Sequence, residues 1–137
     1  TYEQQENGKI VFDGIIALAK ANLASGVPVG LGTDVGCPYI THYDMWRELN
    51  HFVKYCGVTP AFALYSATKL NARLAGIGDV TGSEADKQAD LIVCTDDPLK
   101  SPSALRTLDI VVKGGYRIDK PQVKKMPEVE RELDKFL

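Results

Sequence analysis

An α/β fold is predicted for this 137-residue chain on three observations. Helix-spaced segments flank Val27–Thr33, a short run apolar on both faces, as buried parallel strands are. A second apolar run, Ala89–Cys94, precedes a Gly114-Gly115 pair suited to a two-residue hairpin turn. Hydrophobic residues make up 45% and charged ones 25%, the mix of an ordinary globular domain, which excludes disorder over most of the length.

The elements follow in order. From Ile10 to Ser25, the residues Ile15, Leu18, Ala19, Asn22 and Leu23 recur at helical spacing, and Gly26 is placed to cap the end. In the strand that follows, Gly30 and Gly32 alternate and imply close approach of a neighbour. A Gly-, Cys- and Pro-containing loop from Val35 to Thr41 leads to a helix over Tyr43–Cys56, whose apolar line is Met45, Trp46, Leu49, Phe52 and Val53. Thr59-Pro60 opens the next helix, a hydroxyl cap followed by proline at the first helical position, and Gly76 stops it. Residues 78–88 form a polar connection, and Ala89–Cys94 reads as a strand buried on one or both faces. Asp96-Asp97-Pro98 is a turn, and Ser103–Thr107 a short helix or turn. Asp109–Lys113 and Tyr116–Ile118 are the hairpin arms, and Pro127–Leu137 a charged helix with Val129, Leu133 and Phe136 on one side. The strand Val27–Thr33 has no partner of its own within the chain.

Charge and composition narrow the function. Sixteen basic and 18 acidic side chains give a net charge of −2, so there is no basic surface for nucleic acid or anionic membrane. No apolar run approaches the roughly 20 residues that cross a bilayer. The polar start, Thr1-Tyr2-Glu3-Gln4, has no signal-peptide character, so a cytoplasmic protein is expected. Three widely spaced cysteines, Cys37, Cys56 and Cys94, exclude a disulfide framework or zinc ribbon. Cys56 and Cys94 read as buried small hydrophobes and Cys37 as a loop thiol. With two histidines, His42 and His51, the chain is short of the about three protein ligands that a catalytic zinc site uses.

The sharpest chemical feature is Gly32-Thr33-Asp34 at the end of the apolar strand. A carboxylate there sits where α/β proteins place their sites, able to bind a metal or accept a proton. The alternative is a turn aspartate that caps local N–H groups. His42, at the start of the next helix, either faces the same pocket or is exposed beside a cap, and His51 reads as a surface or core-edge residue. There is no phosphate loop and no G-x-S-x-G serine nucleophile.

Six segments, in this order, resemble the C-terminal portion of metal-dependent amidohydrolases, closest to the imidazolonepropionase-like and prolidase-like branch. They are Gly26–Asp34, Arg47-Glu48-Leu49, Gly57–Ala61, Ala67-Thr68 with Asn71–Gly76, Ala89–Val93 and Val111–Gly115. The resemblance covers roughly residues 11–118. It departs from the family where Asp86-Lys87 stands in place of a common Gly-Lys pair. The implied fold is a C-terminal fragment of a (β/α)₈ barrel plus part of a small β-sandwich. Residues 1–76 would end the barrel, 77–120 supply a share of the sandwich, and 121–137 form a C-terminal helix. A whole barrel needs at least about 200 residues, so the chain is expected to be a piece of a longer enzyme.

The implied chemistry is hydrolysis of a C–N bond in an amide or peptide-like small molecule: an acyl-amino acid, a dipeptide or a cyclic amide. By resemblance Asp34 binds a divalent metal, expected to be zinc, and serves as general base, while His42 contacts substrate. The family's remaining metal ligands have no counterpart here, so the chain alone is expected to be inactive, to hold no metal and to self-associate through its open strand. The competing expectation is a binding or assembly module that keeps the scaffold without catalysis.

Overall fold

A computed structural model describes all residues from Thr1 to Leu137. The chain is mixed α/β: a helical layer is followed by a small antiparallel sheet and a final helix. The helices are α1 (Tyr2–Ala24), α2 (Met45–Cys56), α3 (Pro60–Tyr65), α4 (Asn71–Leu74) and α5 (Pro127–Leu133). The strands are β1 (Leu91–Val93), β2 (Ile110–Lys113) and β3 (Tyr116–Asp119), in spatial order β1-β2-β3.

Helix α1 begins eight residues before the expected Ile10, because Thr1 and Gln4 form a reciprocal capping box that satisfies the first free N–H groups. None of its residues is buried. Helix α2 presents Trp46, Leu49 and Phe52 inward and ends at Gly57, whose φ of 75° is the left-handed conformation that glycine adopts without steric cost. Thr59 Oγ1 accepts from the Phe62 N–H, so the predicted cap and Pro60 start α3 as expected. A π turn over Ser66–Leu70 separates α3 from α4. Within it the Thr68 hydroxyl donates to the Leu64 carbonyl at 2.6 Å, the i−4 back-bond open to threonine within a helix.

Asn71 directly follows the π turn, and its side chain is the partner of residues 27–34. They do not form the expected strand. The segment is extended but has no neighbouring strand, and only Val29, Leu31 and Thr33 are half-buried. In place of a ladder, the Asn71 side chain pairs with the main chain of Leu31. Its Oδ1 accepts from the Leu31 N–H at 3.1 Å and its Nδ2 donates to the Leu31 carbonyl at 2.6 Å. A Cβ on Gly30 would meet Asn71 Oδ1 at 2.3 Å, so glycine is needed there for the amide to reach the backbone. Gly32 meets nothing.

The buried centre is small: Leu49, Phe52 and Ala63, with Leu23, Val29 and Leu31 packed against it. The sheet departs from expectation in burial. Leu91, Ile92 and Val93 are each about half exposed, so neither face of β1 is fully covered. Cys56 and Cys94 are half-buried where full burial was expected, and Cys37 is exposed. The hairpin follows the sequence reading: Lys113 pairs with Tyr116 across Gly114 and Gly115, whose φ values of 56° and 83° fit a type I′ turn. The last helix is shorter than predicted, α5 giving way to a 3₁₀ turn over Asp134–Phe136.

Candidate functional site

Asp34 closes the extended segment that Asn71 holds. It is exposed, with a φ of 53°, a conformation in which Asn and Asp are the best-tolerated residues after glycine. The loop that follows carries Tyr39, also left-handed at φ 65°, and ends in Thr41, which is buried. His42 is exposed, with its ring edge-on to Tyr43 at 5.4 Å. An open groove of about 870 Å³ runs between residues 37–41 of this loop and α5, where Met126, Val129 and Arg131 form the opposite wall. Asp34 and His42 thus flank one loop, and no hydrogen bond or ion pair joins them.

Beneath the loop is a buried polar cluster that sequence reading did not identify. Asp44 occupies the position before α2 yet caps nothing. Its carboxylate accepts from the Thr41 hydroxyl at 2.7 Å, Trp46 Nε1 at 2.9 Å and Arg47 Nε at 3.2 Å. Arg47 continues outward, with Nη2 donating to Glu130 at 3.1 Å and Nη1 in an ion pair with Asp134 at 2.8 Å. Arg106, from the 3₁₀ turn Pro102–Arg106, donates to Asp134 at 2.9 Å, and both guanidinium groups lie over the Trp46 ring.

The cluster has a defined protonation pattern. Burial alone would raise the Asp44 carboxyl, but hydrogen bonds from Glu130, Thr41, Trp46 and Arg47 outweigh it and hold the group below its ordinary range. Glu130 moves the other way, raised by burial and by the adjacent Asp44 carboxylate. The only sequence signal was Arg47-Glu48-Leu49 as one of the six segments that carry the family resemblance. Partners 83 residues apart, such as Arg47 and Glu130, leave no local pattern.

His51 lies on the core edge, as expected. Burial and the charges of Arg47 and Lys54 hold its imidazole below the usual range, hence neutral, and Nδ1 has no partner. It lines an apolar cavity of about 380 Å³ between α1, residues 29–31 and α2, away from the loop.

The donor set does not suit a metal ion by itself. No three His, Cys, Asp or Glu side chains converge around Asp34 or elsewhere, and the about three protein ligands of a catalytic site are not met from these residues.

The sequence profile of the amidohydrolase family matches residues 5–121, and the chain belongs to that family. Solved structures are similar to it. A Bifidobacterium longum protein assigned as a prolidase superposes with a TM-score of 0.91 at 37% identity, over 98% of this chain and 33% of that one. An Xaa-Pro dipeptidase with methionine bound in its active site superposes with a TM-score of 0.70 at 33% identity, over 77% of this chain and 25% of its own. The chain therefore spans a third or less of the proteins it matches. No curated protein sequence matches it.

Proposed function

We propose that this chain is part of a metal-dependent amidohydrolase that cleaves the C–N bond of dipeptides, those with proline in second place foremost. The observation that carries the reading is the 0.91 superposition, at 37% identity, on a prolidase-assigned protein across nearly all of the chain. Residues 1–76 are then the end of a (β/α)₈ barrel, 77–120 a share of a β-sandwich and 121–137 a C-terminal helix. In the complete enzyme residues 27–33 would gain their neighbours as the last barrel strand, with Asp34 at its C-terminal end, the face on which such barrels carry their sites. Its exposure at the mouth of the loop supports a role as the base that takes the proton of the attacking water and passes it to the leaving nitrogen. His42, across the same loop, holds the substrate. The metal, zinc in this reading, is held mainly by residues outside this chain, to which Asp34 adds one carboxylate.

An exposed surface of 9613 Å², against about 7,000 Å² for a folded monomer of this length, supports two further parts of the reading. The chain alone is inactive, and it self-associates to cover the faces it leaves open. Three cysteines without a disulfide support a reducing, cytoplasmic setting.

The test is a panel of Xaa-Pro dipeptides, N-acyl amino acids and cyclic amides offered to the complete enzyme and to the 137-residue chain. Chelator-sensitive turnover of Xaa-Pro dipeptides by the complete enzyme alone is expected. Turnover by the short chain, or none by either, overturns the reading.

A further inference from the structure

We propose that Thr41 and Tyr43 are positioning residues for His42, anchored by Asp44 and by the start of helix α5, so that α5 fixes His42 against substrate without touching it. The inference rests on the assignment of His42 to the substrate and extends it to residues with no place in that assignment.

The two neighbours of His42 are both held from behind. Thr41 is 5% exposed, and its hydroxyl donates to Asp44 at 2.7 Å. Asp44 is in turn immobilised by Trp46 and Arg47, and Arg47 by Glu130 and Asp134 of the C-terminal segment. Tyr43, on the other side, accepts at its hydroxyl the Met126 N–H at 3.1 Å, next to Pro127, which opens α5. Its ring is also the face on which the His42 imidazole rests edge-on.

His42 is thus the exposed residue between two tethered ones. This is how a loop presents one side chain with little freedom. Lost rotational freedom that is already spent before binding does not weaken affinity, so a tethered His42 binds tighter than a free one of the same chemistry. The long path from α5 to His42 also gives the C-terminal helix a reason to dock by a buried ion cluster. Apolar contact would hold it in place but would not fix the register of Asp44 as directional hydrogen bonds do.

The experiment uses the complete enzyme and an Xaa-Pro dipeptide. Thr41→Val removes the hydroxyl at nearly constant shape, and Tyr43→Phe removes the acceptor while keeping the ring. Each is expected to raise KM about 10-fold with kcat within twofold, the pattern of lost binding that is uniform along the reaction. Thr41→Ser, which keeps the hydroxyl, is expected to restore KM to within about threefold. His42→Gln tests the assignment underneath. A raised KM there with unchanged KM in Thr41→Val and Tyr43→Phe overturns the positioning and leaves His42 on the substrate. An unchanged KM in His42→Gln overturns both. A readout independent of turnover is the NMR order parameter of the His42 backbone and ring, expected to fall from the rigid range toward the flexible one (below about 0.6) in Thr41→Val. An unchanged order parameter there overturns the proposal, as does a lowered melting temperature with unchanged KM, which is the mark of a structural role.

Discussion

Asp34 and Asn71 make different demands on substitution, and the difference is measurable. Asp34→Asn in the complete enzyme removes basicity while keeping a residue suited to a φ of 53°. Its kcat is expected to fall at least about 10²-fold, as loss of a general base does, with the melting temperature unchanged. A turn aspartate would give the opposite pattern, normal turnover and lower stability. Asn71→Ala leaves the Leu31 N–H and carbonyl without their partners. A cost of about 1–3 kcal/mol is expected in urea unfolding of the complete enzyme, the penalty for half-buried backbone groups left unpaired. Gly30→Ala displaces the same amide, since its Cβ would lie 2.3 Å from Asn71 Oδ1. The double variant should therefore lose less than the sum of the two single losses. Strict additivity would show that Gly30 and Asn71 act separately.

At the scale of elements, the β2–β3 hairpin is fastened to the start of β1 by one carboxylate. Asp90 accepts from Lys113 Nζ at 2.6 Å, the Gly114 N–H at 2.7 Å and Gln88 Nε2 at 3.0 Å. Lys113 first, then the Gly114 N–H, lowers its pKa to about 2. A carboxyl lowered on folding contributes stability that is complete above its unfolded pKa and is lost as pH falls through the folded one. Unfolding of the wild type should therefore become easier between about pH 4 and pH 2, and Asp90→Asn should flatten that part of the profile. An unchanged acid limb would remove Asp90 from the hairpin's stability. The hairpin was legible in the sequence because its cause is local: two glycines at left-handed φ between alternating β-formers. So was α3, through Thr59-Pro60. Residues 27–33 are extended but unladdered in this chain, as the lack of a partner strand in the sequence implied, and their apolar pattern states only that something covers them. A strand needs a ladder partner, and within this chain the one side chain that reaches its backbone belongs to Asn71. The Asp44–Arg47–Glu130 cluster was illegible because charged residues spread over α2 and α5 look like solvated faces until the fold brings them together. Asp34 and His42 are proposed from position and family resemblance alone, whereas nothing local marks Thr41 and Tyr43, whose interest lies in what they touch.

For the whole molecule the deciding quantity is surface. Only 11 of 137 residues are buried, and Ile10, Val11, Ile15 and Leu18 of α1 are each more than half exposed. Apolar area left in water costs roughly 25 cal/mol per Å², and β1 and β3 are open edges besides. The 137-residue chain on its own should therefore sediment as an oligomer at micromolar concentration, and Ile15→Lys with Leu18→Lys should shift it toward monomer. A monodisperse monomer for the unaltered chain would show that it closes its faces in another way. No helix is long and apolar enough to cross a membrane.

The placing of Trp46 gives this chain a built-in optical probe. It is the single tryptophan of the sequence, its indole N–H is bound to Asp44, and both guanidinium groups lie over its ring. Indole emission moves to longer wavelength when water reaches the ring, so its colour reports whether α5 is docked. Asp44 and Asp134 are lowered carboxyls, whose contribution fades as pH falls through their folded values. Emission should therefore redden as acid protonates them, which makes departure of the C-terminal helix visible without a label.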